Sequence, residues 1–234
     1  MATAVYVDGF NLYYGLARPL DCKWVDLQAF FELQFSRDDV RVINFYEALV
    51  AGPARHNQQA YISALESRPK IRIVLGEMKQ KPKICRVASC THLGERKYLD
   101  YEEKHTDVSI AISMVDDTHS GAFERLVLVT ADTDLEPAVR LVRQIRPEQD
   151  VVLCMPALDR RRIFAAKNMA ILAGRFIRTD AELFLKCQMP SVFTDSSGRS
   201  HVRPGAWREA PLSAAKDWKA RNPDRWLAKM PNWK

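Results

Sequence analysis

The sequence predicts an α/β protein, a three-layer α/β/α sandwich with a mainly parallel, Rossmann-like central sheet. Two observations lead to this class. Short apolar runs typical of strands alternate with stretches in helical spacing, and the runs are apolar on both faces, as expected of strands covered by helices on two sides. With 234 residues, 47% of them hydrophobic, the chain is long enough to bury a sizeable core. We therefore expect parallel strands joined by right-handed crossovers.

The predicted elements follow one another as strand, helix, strand, helix. Each apolar run is bounded by glycine, proline, aspartate or another charged residue, and none is long enough for a buried helix. The predicted strands are residues 4–7, 40–50, 71–75, 126–130, 151–155 and 175–177. The predicted helices are residues 25–35, 56–66, 106–117, 135–145, 160–172 and 181–186.

Composition predicts a folded domain over residues 1–187 and a separate tail over residues 188–234. The chain has a formal net charge of +6, and the tail holds nine basic residues against four acidic ones, so the domain itself is near neutral. Four of the five tryptophans also lie in the tail, which we expect to dock on the domain or on a partner, and a homodimer would provide such a partner. Within the domain, residues 77–101 are basic and contain a proline, which indicates an excursion at one edge.

Cysteine usage and the absence of a targeting pattern indicate an intracellular protein. The five cysteines are an odd number scattered along the chain, which is more typical of reduced thiols than of a disulfide framework. The first residues lack the basic and apolar regions of a signal peptide, and no later run is long enough to span a bilayer. We therefore expect a cytoplasmic location and no membrane partner.

Acidic residues follow two predicted strands and begin one predicted helix. Asp8 follows the strand AVYV, and Asp132 and Asp134 follow the strand LVLVT. Because parallel strands end at the same edge of a sheet, these carboxylates come close together if the strands are neighbours. Asp107 begins a helix whose apolar face, with Ile110 and the residues after it, points inward. That helix therefore carries a further acid to the same region.

Carboxylates that converge in a cleft repel one another unless a divalent cation neutralises them. An all-oxygen ligand set favours Mg²⁺ or Mn²⁺ over zinc. The corresponding chemistry is phosphodiester hydrolysis by metal-activated water. Structural interpretations compete with this one, because an Asp-Gly after a strand is commonly a turn, Asp132 and Asp134 could cap the following helix, and Asp107 could lie on a solvated face.

Three sequence blocks carry a family resemblance. VYVDGFNLYYGL, YEEKHTDVSIAISMVDD and LVLVTADTDLEPAV resemble, in this order, the NYN domain, a branch of the PIN-like nucleases. The resemblance implies a PIN-like fold and metal-dependent endoribonuclease activity on RNA, with DNA also open as a substrate. It implies metal-binding and catalytic acids at Asp8, Asp107, Asp132 and Asp134, supported by Asn11. We add Asn11, Thr130, Thr133 and Lys104 as candidate substrate-binding residues next to these acids.

Two other functions are compatible with the same residues. A catalytically silent RNA-binding or regulatory adaptor would keep the fold and the cleft. The pair Asp132 and Asp134 is also similar to the aspartates of haloacid dehalogenase-like phosphatases, although the Gly-Thr that usually follows that pair is absent.

The excursion at residues 77–101 offers two weaker signals. Cys85, Cys90 and His92 provide three potential ligands for a structural Zn²⁺, but the spacing is not that of a standard zinc knuckle. Reduced cysteines in a surface loop are the competing interpretation. The same segment contains lysines and arginines that could bind phosphates without sequence preference.

Overall fold

The computed structural model describes residues 1–226 and 229–232. In that part of the chain the sheets contain nine strands. They are β1 (Ala2–Asp8), β2 (Asp39–Ala48), β3 (Ile71–Ile84), β4 (Lys97–Lys104), β5 (Arg125–Val129), β6 (Asp150–Met155), β7 (Gly174–Arg178), β8 (Val192–Thr194) and β9 (Ser200–Val202).

The helices alternate with these strands along most of the chain. They are α1 (Gly9–Leu12), α2 (Leu27–Gln34), α3 (Ala54–Glu66), α4 (Thr106–Ser120), α5 (Glu136–Ile145), α6 (Arg160–Ala165), α7 (Lys167–Ala173), α8 (Ala181–Lys186) and α9 (Ala214–Arg221). A π-helical turn (Tyr13–Ala17) extends α1, and a 3-10 turn (Thr133–Leu135) precedes α5.

Seven strands form the central sheet in the order β4-β3-β2-β1-β5-β6-β7. All neighbouring pairs are parallel except β3 with β4, which confirms the predicted α/β class and mainly parallel sheet. The strand β1 lies in the middle between β2 and β5, and all seven of its residues are buried. This central position explains why the run is apolar throughout.

Alternate residues of β1 point into two different core layers. Val5 and Val7 contact the layer that contains Phe30 of α2 and Phe184 of α8. Ala4 and Tyr6 contact the opposite layer, which contains residues of α4, α5 and α7 such as Met114, Val139 and Met169. The sheet is therefore covered on both faces, as the three-layer prediction requires.

The segment at residues 77–101 differs from the simple edge excursion that we predicted. The strand β3 continues past its parallel half to Ile84, and the chain returns as β4, which pairs antiparallel with Glu77–Ile84. Ion pairs of Lys81 with Glu102 and of Lys83 with Asp100 join the two strands. Because charged residues alternate along this antiparallel ribbon of β3 and β4, a search for apolar runs does not detect it. The predicted helix at residues 160–172 is likewise divided, at Ala166, into α6 and α7.

The tail beyond residue 187 contacts the α/β layers. The Trp24 indole nitrogen donates a hydrogen bond to the Pro190 carbonyl (2.9 Å), and the Met189 amide donates one to the Trp24 carbonyl (2.9 Å). Trp207 lies with its ring centroid 6.4 Å from Trp24 and 6.0 Å from Tyr61. Trp218 and Trp226 are also packed against the core, whereas Trp233 lies outside the described residues.

No helix within residues 1–226 and 229–232 has the length and apolar character needed to cross a membrane.

Gly15 provides a test of the close contact between the π-helical turn and the segment after β6. A β-carbon at Gly15 would lie 1.7 Å from the Pro156 carbonyl oxygen, a backbone atom that cannot move aside cheaply. We expect Gly15→Ala to lower the free energy of unfolding by about 3 kcal/mol or more, measured by urea denaturation. Gly205→Ala is the matched control, because a β-carbon there meets no atom within 4 Å. Equal denaturation midpoints for the two variants would contradict this contact.

Candidate active site

The site lies where the central strands β1 and β5 end. These strands are parallel neighbours, with Val7 opposite Val129. Asp8 is the last residue of β1, and the chain beyond β5 continues through Thr130 to Asp132. Asp8 and Asp132 therefore leave the sheet at the same edge, as expected for adjacent parallel strands.

Asp8 is buried and accepts three hydrogen bonds. The Asn11 backbone amide donates to Oδ1 (2.9 Å), and the Asn11 side-chain amide donates to Oδ2 (2.7 Å). The Thr130 hydroxyl also donates to Oδ2 (2.9 Å), and its oxygen accepts a bond from the Asp132 amide (3.0 Å). Thr130 is fully buried, so it holds the two acids in place and does not face the solvent where a substrate would lie. Asn11 likewise orients Asp8.

The second acidic group begins the turn before α5. Asp132 caps the 3-10 turn, because its Oδ1 accepts a hydrogen bond from the Asp134 amide (3.1 Å). The capping interpretation of Asp132 is thus correct in geometry, through its Oδ1 atom. Thr133 and Asp134 are exposed beside it.

Asp107 reaches the same region from α4. The turn into this helix passes over Gly76, at the end of the parallel half of β3, while Ile110 and Met114 anchor the helix in the core. Burial raises the pKa of Asp107 to about 6, and the charges of Asp8, Asp132 and Asp134 contribute to the increase. Burial and the charge of Asp132 also raise the pKa of Asp8, although its hydrogen bonds oppose this. The charges of Asp8, Asp132 and Asp134 therefore reach Asp107, and the charge of Asp132 reaches Asp8, which places the four predicted acids in one region.

Two further carboxyl groups belong to this region, and neither was among the site residues predicted from the sequence. Burial, followed by the charge of Glu103, raises the pKa of Glu47 to about 8. The pKa of Glu103 is raised to about 7, mainly by burial and then by the charges of Asp8, Asp107 and Asp132. The available signal for Glu47 was an acid near the end of β2, directly after Phe45 and Tyr46 in the mostly apolar half of that strand.

Glu47 lies directly against the first turn of α1. A β-carbon at Gly9 would be 2.7 Å from the Glu47 Oε2 atom and 2.7 Å from the Tyr46 carbonyl oxygen. Only glycine fits this close approach. The contact therefore accounts for the glycine of the Asp-Gly pair after β1, where the chain enters α1 directly and forms no separate turn.

The negative charge of the site is not compensated by neighbouring cations. Within residues 1–226 and 229–232, none of the six carboxylates forms an ion pair. Lys104, which is close in sequence, binds Glu102 at 3.0 Å. The six carboxylates are Asp8, Glu47, Glu103, Asp107, Asp132 and Asp134.

The side chains of the described residues do not form a complete set of metal ligands around one position. In the part of the chain that the structure describes, no group of three or more His, Cys, Asp or Glu residues is positioned to hold one ion. The four aspartates therefore share a region but are not placed around a single ion position. For Cys85, Cys90 and His92 the same finding leaves the predicted Zn²⁺ site without support, and the two cysteines are free thiols.

The raised pKa values predict how stability depends on pH. In the unfolded chain Glu47 titrates near its usual value of 4.5, whereas in the folded protein it keeps its proton up to about pH 8. The folded state therefore binds more protons in this range, and stability falls as the pH rises from about 4.5 to 8. In EDTA we expect Glu47→Gln to raise Tm by roughly 5 °C or more at pH 9 and to change it little at pH 5, measured by calorimetry.

Glu66→Gln is the matched control for this prediction. Glu66 is the exposed last residue of α3, and its replacement should leave the pH profile of Tm unchanged. Parallel profiles for wild type and Glu47→Gln would show that Glu47 does not carry a proton to high pH.

Known proteins resemble this chain in fold and in sequence. The crystal structure of a protein of unknown function from Vibrio parahaemolyticus RIMD 2210633 superposes with a TM-score of 0.50 at 18% identity, covering 76% of this chain and 93% of that chain. A curated relative is 6-hydroxy-3-succinoylpyridine 3-monooxygenase HspA of Pseudomonas putida, which is 24% identical over an alignment 250 residues long. The alignment covers 90% of this chain and 77% of the relative.

The family assignment rests on a match to most of the chain. The model of the NYN domain family matches residues 2–165, a range that includes the sheet from β1 to β6 and the acids at positions 8, 107, 132 and 134. The α/β fold of this chain, with its mostly parallel seven-stranded sheet, is consistent with the PIN-like sandwich expected of this family. The chain therefore belongs to the NYN domain family.

Proposed function

We propose that the protein is a metal-dependent endoribonuclease that hydrolyses phosphodiester bonds at the carboxyl edge of β1 and β5. The observation that carries this proposal is the convergence of carboxyl groups at one edge of the sheet, where burial and then the neighbouring acids raise the pKa values of Asp8, Glu103 and Asp107 and no ion pair with a described residue offsets their charge. Such an arrangement costs folding free energy, and a bound divalent cation removes that cost.

The residues fit Mg²⁺ or Mn²⁺ in chemistry. The donors are carboxylate oxygens, which these hard cations prefer, and Asp8, Asp107, Asp132 and Asp134 would hold the ion. When bound, the ion supplies charge for the phosphate and a water of lowered pKa. Three of the four aspartates are at least half-buried whereas Asp134 is exposed, so the set extends from the sheet edge to the surface where a strand of RNA can reach it.

The remaining polar residues have supporting roles in this proposal. Asn11 and Thr130 fix the orientation of Asp8 through the hydrogen bonds described above. Thr133 is exposed next to the acids, and Lys104 lies half-buried near Asp107, so both are available to a phosphate group. A phosphate would have to compete with Glu102 for Lys104.

Two other functions make different predictions. A silent RNA-binding adaptor would bind RNA equally well without the acids. The relative from Pseudomonas putida is named as a monooxygenase. We do not transfer that activity, because the alignment is only 24% identical and a cation-binding role already accounts for the converging carboxylates.

Replacement of single acids tests the proposal. We expect Asp8→Asn and Asp132→Asn each to reduce Mn²⁺-dependent cleavage of a fluorescent single-stranded RNA by about 100-fold or more, because each removes a charged ligand. A DNA strand of the same sequence, assayed in parallel, identifies the preferred nucleic acid.

Asp116→Asn is the matched control. Asp116 is an exposed acid on α4, more than two turns beyond Asp107, and its replacement should leave cleavage unchanged. Full cleavage by both site variants would overturn the nuclease proposal. No Mn²⁺ binding in calorimetry, together with undiminished RNA binding by Asp8→Asn, would support the adaptor instead.

A further inference from the structure

A cavity of about 270 Å³ lies beside the acidic site, on the face of the sheet covered by α1 and α3. Gly9 and Glu47 form the part of its wall nearest to Asp8. On the opposite side the wall is completed by Trp207, which lies in the tail beyond the family match. The cavity is thus adjacent to the acids and shares Glu47 with them, whereas its other lining residues lie outside the acidic set.

The size of the cavity limits what it can hold. Pockets for drug-sized ligands occupy about 300–1,000 Å³, so this one is at the small end and suits one ring or two fused rings. Its opening lies near Tyr14 and Ala54, which are both exposed. A ligand can therefore enter from solvent without unfolding of the core.

The walls are mainly aromatic and are fixed by contacts outside the cavity. Tyr61 lies edge-on to Phe45, with ring centroids 6.4 Å apart, and its hydroxyl donates a hydrogen bond to the Val25 carbonyl (2.9 Å). Trp207 contacts both Tyr61 and Trp24. Rigid aromatic walls favour flat ligands, which can stack or meet them edge-on.

The polar groups of the cavity are few and well defined. The Gln58 side chain is occupied, since it accepts from the Val50 amide (2.7 Å) and donates to the Ala48 carbonyl (3.0 Å). The half-buried Asn57 side-chain amide makes none of the side-chain hydrogen bonds found among residues 1–226 and 229–232, and Glu47 contributes a buried carboxyl group whose Oε1 atom accepts from the Ala48 amide (3.2 Å). An unused amide and a carboxyl group within aromatic walls can recognise the donors and acceptors on the edge of a ring.

We propose that this cavity binds one uncharged planar heteroaromatic ring, stacked among Phe45, Tyr61 and Trp207 and hydrogen-bonded at its edge by Asn57 and Glu47. Two sources can supply such a ring: a nucleobase of a bound RNA strand, or a free heteroaromatic molecule. An anionic ring is disfavoured because the acidic site lies beside the cavity, while the lining cation Lys23 is already paired with Asp21 (2.7 Å). The inference does not depend on the cleavage activity, since it concerns ring binding alone.

Binding of neutral rings tests the cavity directly. In EDTA we expect adenosine, uridine or pyridine to bind the full-length protein in calorimetry and to quench tryptophan fluorescence. Ala54→Trp, which places a large side chain in the rim, should weaken that binding about tenfold or more. Gln59→Trp is the matched control, because Gln59 is exposed on the same helix but does not line the cavity.

A second variant protects the test against misfolding. Asn57→Leu removes the amide and keeps the apolar wall, and circular dichroism verifies that each variant is folded. We expect it to weaken binding of the nucleosides and of pyridine. If none of the three compounds binds the wild type, or if Ala54→Trp and Asn57→Leu bind them unchanged, the proposal is overturned.

The source of the ring follows from RNA binding in EDTA, where cleavage cannot occur. If Ala54→Trp weakens binding of single-stranded RNA and Gln59→Trp does not, a nucleobase occupies the cavity. If RNA binding is unchanged while ring binding is lost, the ligand is a free heteroaromatic molecule. A protein that binds these rings but cleaves no RNA would refute the nuclease proposal and still support this one.

Discussion

The hydrogen bonds around Asp8 are the interaction on which the site depends. They tie the end of β1 to α1 through Asn11 and to the end of β5 through Thr130. The Thr130 hydroxyl oxygen also accepts a hydrogen bond from the Asp132 amide. One hydrogen-bond network therefore sets the positions of two acids that follow two different strands. Central strands carry this network, so the surrounding sheet protects it from local opening. The site is therefore rigid at the ends of β1 and β5, where Asp8 and Thr130 are buried, and more accessible at the exposed Asp134.

The parallel core was predictable because its strands are mostly apolar on both faces. Each apolar run is also bounded by glycine, proline, aspartate or another charged residue, which marks its limits in the sequence. The ribbon of β3 and β4 was not predictable in this way. Its second half pairs through charged side chains such as Lys83 and Asp100, and a rule that searches for apolar alternation passes over them. The division of the helix between α6 and α7 at Ala166 has no sequence signal that we recognise.

The site was partly predictable for a related reason. Acids that follow strands, such as Asp8 and Asp132, can be placed at one edge by topology alone. Glu47 lies one position beyond Tyr46, the partner of Asp8 in the neighbouring strand, and its contact with the first turn of α1 depends on Gly9, which the pattern of apolar runs does not reveal. Trp207 could be assigned to an aromatic tail but not to the wall of a cavity, since that contact requires the path of the chain between α8 and α9.

The contacts of Trp24 also have a consequence for how the chain acquires its structure. The hydrogen bond from Trp24 to Pro190 joins residues 166 positions apart, and the Asp26 amide likewise binds the Cys187 carbonyl. During synthesis, residues 24–35 cannot form these contacts until residues 187–190 have left the ribosome. Closing so long a loop is slow compared with forming local helices. Nascent chains should therefore expose Trp24 and its apolar neighbours until late in translation, which makes them candidates for chaperone binding.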